Sequence, residues 1–273
     1  MSEEPLVLER QGPIAELRIN RPLQHNALNA DVLRKLDCAI ATLTADDVRA
    51  IVLTGTGRAF SAGADLDELA GLTADQAYDV LSTGQAVISR IERSPVPVVA
   101  AVNGLALGGG FELVLACTFA VMGETAQLGL PETGLGLMPG YGGTQRLARR
   151  VGSPVAAYTM ITGERISADR AYALGLTPVP PVPADSVADS ARDLARRIST
   201  RGPRAVRAAL LALHHGADAP LEAALAVETA LAGVVTGSDE AVEGIAAFKG
   251  RRAPSFDATR DCDANRDDEG ESS

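Results

Sequence analysis

The sequence predicts an α/β body followed by an all-helical section. Three observations carry that prediction. Apolar strand-like runs alternate with amphipathic helical runs up to about residue 180, which favours parallel strand pairing. From Ala184 to Phe248 the chain is almost wholly helical in pattern, broken near Gly202-Pro203, Gly216–Pro220 and Gly237. Several junctions between strand and helix are rich in glycine, and no fixed-period repeat runs through the chain. The expected organisation is a body over 1–180, a helical section over 181–256 and an acidic tail over 257–273.

The elements follow in order. Ile14–Ile19 alternates and reads as a strand, and RPLQHNALN after it as irregular. Ala30–Leu43 places Val32, Leu33, Leu36, Ile40 and Leu43 on one helical face, with Asn29 as N-cap. Val48–Thr54 is a buried strand ended by Gly55, and Ala74–Ile91 an amphipathic helix. Val96–Val102 is a further strand whose Pro95 and Pro97 suit an edge or a first position. Helix is expected over Phe111–Cys117, short strands over Phe119–Met122 and Ala126–Leu128, and a Gly/Pro-rich loop over Leu130–Gly143. Helices over Thr144–Val151 and Ser153–Thr162 come next. Ser167 caps another, which Gly175 ends. TPVPPVP (Thr177–Pro183) is a stiff connection, because proline fixes φ and removes donors.

Composition excludes several function classes. The 273 residues include 46% hydrophobic but only 3% aromatic residues and no Trp, so the core is aliphatic. That length buries a core without disulfides or a structural metal. The net charge is −10, and Lys35 and Lys249 are the only lysines, which argues against nucleic-acid binding. Residues 257–273 hold seven acids and two arginines, half of that net charge, and should lack fixed structure. Cys38, Cys117 and Cys262 are widely spaced and form no C-x-x-C pair, so neither a zinc site nor a disulfide framework is expected. The acidic start MSEEPLVLERQG has no apolar signal-like run, and Pro95–Gly123 is too interrupted for a membrane span. A cytoplasmic protein without membrane attachment is expected.

Three Gly-rich segments remain: GTGRAFSAGAD, NGLALGGGFE and LPETGLGLMPGYGGTQR. None ends in Gly-Lys-Ser/Thr, and none gives G-x-G-x-x-G in register, so nucleotide-type motifs are absent. Such runs let backbone approach a ligand and present free N–H groups at a helix N-terminus. Gly109 and Glu112 lie about one helical turn apart. Glu112 sits in an apolar run, where a first-turn acid answering the helix dipole is an equal reading. Glu132, alone, reads as an exposed loop acid. As a pair in apolar surroundings, two carboxyls have their pKa values driven apart, so that one donates and one accepts a proton. Asp65 reads first as a helix cap. Ser61 has no His partner, and His25, His214 and His215 suggest neither a triad nor a metal site.

Taken together, RPLQHNALN, GRAFSAGADLDEL, PVVAAVNGLALGGGFEL, AQLGLPETGLGLMPGYGGTQRLARRVG, TGERISADRAYALGL and IAAFKGRRAPSF closely resemble the crotonase family, and within it the enoyl-CoA hydratases. The strings stand in family order from about residue 14 to 256. The resemblance implies a spiral of ββα turns followed by a helical trimerisation section, and homotrimers or hexamers made of two trimers. It implies that the Ala64 and Gly109 N–H groups form an oxyanion hole for the thioester carbonyl of an acyl-CoA. Glu112 would orient and activate water, Glu132 would exchange the proton at C2, and the Gly140 N–H would touch the water. Ala62, Ala64, Asp65, Leu66 and Asp67 would line the CoA loop, while Phe248 and Arg251 would pack on CoA from a neighbouring subunit. No separate cofactor is implied, since coenzyme A belongs to the substrate.

The sequence also departs from the family pattern. Asp67 stands where some relatives have Lys, Arg251 replaces a Lys, and Leu130 replaces a polar residue. The expected activity is hydration of a 2-trans-enoyl-CoA in fatty-acid metabolism. The alternatives are a 3-enoyl-CoA to 2-enoyl-CoA isomerase, another acyl-CoA lyase or dehydratase of the family, and a catalytically silent assembly or RNA-binding homologue.

Overall fold

The computed structural model describes residues 4–256. They form two compact units that divide between Arg196 and Arg197. The acidic tail expected over 257–273 lies outside the described residues.

The first unit opens with a hairpin of β1 (Leu6–Gln11) and β2 (Ile14–Ile19), then α1 (Ala30–Ala45). Asn29 caps α1 by accepting from the Val32 N–H at 3.0 Å, and the five apolar residues of its predicted face are all buried. Three turns of a repeating pattern follow. In each, a longer strand is followed by a three-residue strand and then a helix or loop. They are β3 (Ala50–Gly55), β4 (Ala59–Ser61) and α2 (Leu66–Leu69), with α3 (Ala74–Glu92) after them. Next come β5 (Val98–Val102), β6 (Leu105–Leu107) and α4 (Gly109–Ala116). The third turn is β7 (Phe119–Met122) and β8 (Gln127–Gly129), the Gly/Pro-rich loop, α5 (Gly143–Val151) and α6 (Ser153–Thr162). A short β9 (Ile166–Ser167) leads into α7 (Ala168–Ala173), and α8 (Val187–Ser199) closes the series.

The longer strands form one sheet in the order β1-β2-β3-β5-β7, parallel except for the antiparallel β1–β2 pair. The short strands form a second sheet, β4-β6-β8-β9, with β4, β6 and β8 parallel. Parallel strands buried on both faces read as continuous apolar runs, as β3 and β5 do, every residue of both being buried. Phe60 and Phe111 are the largest fully buried side chains.

Two expectations are refined here. β5 is an interior strand between β3 and β7, so Pro95 and Pro97 mark its start and not a sheet edge. Pro97 lacks an N–H, yet its carbonyl accepts from the Ile51 N–H at 2.9 Å, so the ladder begins where proline permits it. The break between units falls after Arg196 instead of near residue 180. Val187, Ala191 and Ala195 of α8 are buried, and Arg192 bonds the buried carboxylate of Glu16 at 2.8 Å.

The second unit holds α9 (Pro203–Gly216), α10 (Leu221–Thr236) and α11 (Asp239–Lys249). Their breaks fall at the predicted Gly and Pro positions. The Glu240 carboxylate, 4% exposed, accepts from the Arg204 and Ala205 N–H groups at 3.0 Å each and so satisfies the free first turn of α9. Among the described residues no single helix is long and apolar enough to cross a membrane.

Candidate active site

The three Gly-rich segments leave the C-terminal ends of neighbouring parallel strands. Ala62-Gly63-Ala64 follows β4, Gly108-Gly109 follows β6 and Leu130-Pro131-Glu132 follows β8. In open parallel sheets this is the end where ligands bind. The strand order β4-β6-β8 sets the segments side by side, and Ala62, Ala64, Gly109, Glu112, Glu132, Gly140 and Tyr141 line one pocket.

The backbone at Ala64 and Gly109 is in close contact. A Cβ built on Gly109 would stand 3.3 Å from the Ala64 nitrogen, and one on Gly63 would stand 3.2 Å from the Gly109 nitrogen. Gly109 is the first residue of α4, so helix geometry leaves its N–H without an intrahelical acceptor. Gly108 turns the chain with φ +50° and ψ −127°, a conformation reserved for glycine, and a Cβ there would lie 3.0 Å from Glu132 Oε1.

Glu112 stands in the first turn of α4 and is 1% exposed. It does not close a capping box. Its Oε1 instead accepts from the Tyr141 N–H at 2.8 Å and the Gly143 N–H at 2.6 Å. Burial pushes its pKa up to about 7, the Glu132 charge adds to the rise, and the Gly143 and Tyr141 bonds and Arg146 oppose it. Glu132 opens a single 3-10 turn, Glu132–Leu135. Burial raises its pKa too, and its Oε2 is buried without a protein partner. An unpartnered buried acceptor costs roughly 1–3 kcal/mol, so this carboxyl is suited to a protic ligand in the pocket. Two acids with raised pKa values thus line one pocket with two adjacent backbone donors. Such a site can polarise a carbonyl and exchange protons at nearby carbons.

Of the other predicted positions, Ala62 and Leu66 line the same pocket and Asp67 does not. Asp65 caps α2, accepting from the Asp67 N–H at 3.3 Å, and pairs with Arg21 at 2.9 Å, so the capping reading holds. Ala62, Leu66 and Asp67 are exposed. In the second unit Phe248 is 85% exposed, and Arg251 follows α11 with φ +52°. Ser61 is structural: its hydroxyl donates to the Asn26 carbonyl at 2.8 Å. Among the described residues no group of three or more His, Cys, Asp or Glu could hold a metal ion.

Sequence reasoning missed the residues that hold Glu112. The Tyr141 and Gly143 N–H groups do so directly. Arg146 backs them, donating to the Tyr141 carbonyl at 2.6 Å, the Glu92 carboxylate at 2.7 Å and the Ser89 hydroxyl at 3.1 Å. Arg150 bonds the Leu115 carbonyl at 2.8 Å, so two arginines of the run TQRLARR are tied to main-chain carbonyls. The run GYGGTQR held the only signal: glycines beside an arginine, where backbone donors are free to converge.

Two parallel sheets whose loops bring two buried acids beside backbone donors suit an enzyme that moves protons next to a carbonyl, and comparison with known proteins gives the family. Residues 9–259 match the family model described as enoyl-CoA hydratase/isomerase. A putative enoyl-CoA hydratase/isomerase, YngF, of Bacillus subtilis is 40% identical, over 92% of this chain and 97% of the relative. A crotonyl-CoA hydratase of Syntrophomonas wolfei is 37% identical, over 94% and 99%. The crystal structure of an enoyl-CoA hydratase from Bacillus anthracis superposes with a TM-score of 0.89 at 37% identity, covering 92% of this chain and 98% of the other. The chain belongs to the enoyl-CoA hydratase/isomerase family and has the crotonase fold.

Proposed function

We propose that the protein hydrates 2-trans-enoyl-CoA thioesters to 3-hydroxyacyl-CoA. The observation that carries this reading is the pair Glu112 and Glu132, both with raised pKa values, on one pocket with the Ala64 and Gly109 N–H groups. A double-bond isomerase needs one base for a 1,3-proton shift. Hydration needs one group to take a proton from water and one to deliver a proton to carbon.

In this reading the thioester oxygen accepts from the Ala64 and Gly109 N–H groups. Glu112, ionised and oriented by Tyr141 and Gly143, takes a proton from water, and the water oxygen bonds to C3. The displaced π electrons move to the thioester oxygen as an enolate. Each preorganised donor contributes on the order of 3 kcal/mol to stabilising that charge. Glu132 then protonates C2 and the carbonyl re-forms. The Gly140 N–H, on the same pocket wall, would hold the water. Coenzyme A enters as part of the substrate over the Ala62 to Asp67 segment. In the second unit Leu213, Leu221, Val234, Val242 and Phe248 are large and exposed, which supports assembly with further copies of the chain.

The deciding experiment is crotonyl-CoA hydration, followed by loss of its ultraviolet absorbance. Wild type should turn over, and Glu112→Gln and Glu132→Gln should each lose roughly 10²–10⁴ in kcat. Demonstrated binding of crotonyl-CoA without hydration by wild type would reject the reading and turn attention to 3-enoyl substrates.

A further inference from the structure

Asn26 holds a backbone conformation that side chains avoid, and it is fully buried there. Its φ is +58° and that of His25 before it is +49°, both in the left-handed region, and Asn26 is 0% exposed. Asparagine tolerates that region better than most residues, but strain of this kind persists only where the surroundings fix it. The side-chain amide does the fixing. Its Oδ1 accepts from the Arg21 N–H at 2.9 Å, and its Nδ2 donates to the Thr56 carbonyl at 2.9 Å and the Ala59 carbonyl at 2.7 Å. A Cβ built on Gly55 would stand 2.6 Å from that Nδ2, so glycine there leaves the space the amide fills.

The segment fixed in this way grips the loop after β4. The His25 carbonyl accepts from the Ala62 N–H at 2.9 Å. The Leu28 N–H donates to the Gly63 carbonyl at 2.7 Å, and the Leu28 carbonyl accepts from the Asp65 N–H at 3.1 Å. The Asn26 carbonyl accepts from the Ser61 hydroxyl at 2.8 Å, and the oxygen of that hydroxyl accepts from the Gly63 N–H at 3.2 Å. The N–H groups of Ala62, Gly63 and Asp65 are therefore all occupied. Ala64 differs, because it stands opposite Leu28 in a parallel bridge. In that pattern Leu28 bonds the two neighbours of Ala64, and the Ala64 N–H is turned to the other edge. Among the described residues no protein group accepts from it.

We propose that Asn26 is a positioning residue for the oxyanion hole: its buried amide locks the 25–28 segment, and that segment holds the loop after β4 so that the Ala64 N–H is aimed at the thioester oxygen. The proposal rests on the hydratase reading, which assigns that oxygen to Ala64 and Gly109. Asn26 acts through Leu28 and does not touch the substrate. Without the amide the left-handed segment relaxes, Leu28 shifts, and the Ala64 donor moves with it. Alignment with the oxygen matters most when negative charge develops there, so the loss falls on the reaction more than on binding.

Difference infrared spectroscopy of bound butyryl-CoA, isotopically labelled at the thioester carbonyl, reads the hole directly. An aligned donor lowers the C=O stretching frequency, and butyryl-CoA has no double bond to hydrate, so turnover is not needed. Binding to wild type should lower the frequency below that of free butyryl-CoA. Asn26→Gly keeps the left-handed backbone accessible and removes the amide, whereas Asn26→Ala removes both. Each should return the band towards its free value, the alanine variant further. On crotonyl-CoA, Asn26→Gly should lose on the order of 10²-fold in kcat with KM changed less than about threefold. Thr177→Val is the control for lost stability: it removes a buried hydroxyl that donates to the Ala120 carbonyl at 2.6 Å, and should leave the band and kcat in place. Ser61→Ala removes only the bond to the Asn26 carbonyl and its partner from Gly63. It should move the band the same way by less, and it decides the test if the Asn26 variants do not fold. An unmoved band in Asn26→Gly and Ser61→Ala, or an equal movement in Thr177→Val, overturns the proposal. A wild-type band that binding does not lower overturns it as well. A lowered wild-type band without hydration of any enoyl-CoA is instead a failure of the hydratase reading alone, and the band shifts in the variants still decide the role of Asn26.

Discussion

The Glu112 carboxylate accepts from the Gly143 N–H at 2.6 Å, a bond that ties α4 to the first residue of α5. This bond stabilises the ionised acid while burial opposes ionisation, and burial wins, leaving a pKa of about 7. A base must be ionised to take a proton. In the free enzyme kcat/KM should therefore fall about tenfold for each pH unit below 7. A pH series on crotonyl-CoA checks this, and the residual activity of Glu112→Gln should lack that limb.

The same shift makes a stability prediction of opposite sense. Between the unfolded value of 4.5 and the folded value of about 7, the native state holds a proton on Glu112 that the unfolded chain does not. Stability from this group is complete below pH 4.5 and is lost as pH rises through about 7. The loss amounts to about 3 kcal/mol. Glutamine keeps a carbonyl oxygen for the two N–H donors and carries no charge. Urea unfolding at fixed protein concentration should show Glu112→Gln gaining on wild type by that order from pH 5 to pH 8. Parallel pH profiles would sink the prediction.

Gly108→Ala should damage the site more than the fold. The residue would have to hold φ +50°, and its Cβ would stand 3.0 Å from Glu132 Oε1. Backbone strain of this kind costs roughly 1–3 kcal/mol. Gly71→Ala is the control, since Gly71 has φ +75° and nothing within 4 Å of its Cβ position. Both variants should lose stability, and only Gly108→Ala should lower kcat.

Gly84→Ala reverses the usual sign of a helix substitution. Propensity alone predicts a gain of about 1 kcal/mol. The new methyl lies 2.2 Å from Tyr141 Cε1, however, and overpacking of a filled site costs roughly 1–3 kcal/mol. The expected net effect is destabilising in wild type and stabilising in a Tyr141→Ala background. A double-mutant cycle by chemical denaturation measures the coupling.

Legibility in the sequence followed the strength of local signals. The face of α1 was readable because five apolar residues recur at helical spacing, and Asn29 because capping needs a short polar side chain. β4 and β6 were not: each has three residues inside a Gly-rich run, too short for alternation to register. β1 buries only Leu6 and exposes its last four residues, so no apolar face announced it. Glu112 and Glu132 stood out as acids among apolar neighbours, but residue type did not tell a cap from a catalytic carboxyl. Only the Tyr141 and Gly143 donors show that Glu112 closes no capping box. The packing of Tyr141 was invisible too, because nothing in GYGG says that its ring returns to a helix more than fifty residues earlier.

The crossing pattern of the sheets has a kinetic consequence. The β1–β2 hairpin closes locally, but Arg18 of β2 pairs with Thr54, and Ile51 of β3 pairs with Val98. Each pairing must wait for a long intervening segment to close, and contacts of such sequence separation slow folding. The loops after β4, β6 and β8 come into register only when the β4–β6 and β6–β8 pairings have formed as well. On dilution from denaturant, far-ultraviolet circular dichroism should recover first, while catalytic competence lags behind it as the last property the refolding chain regains.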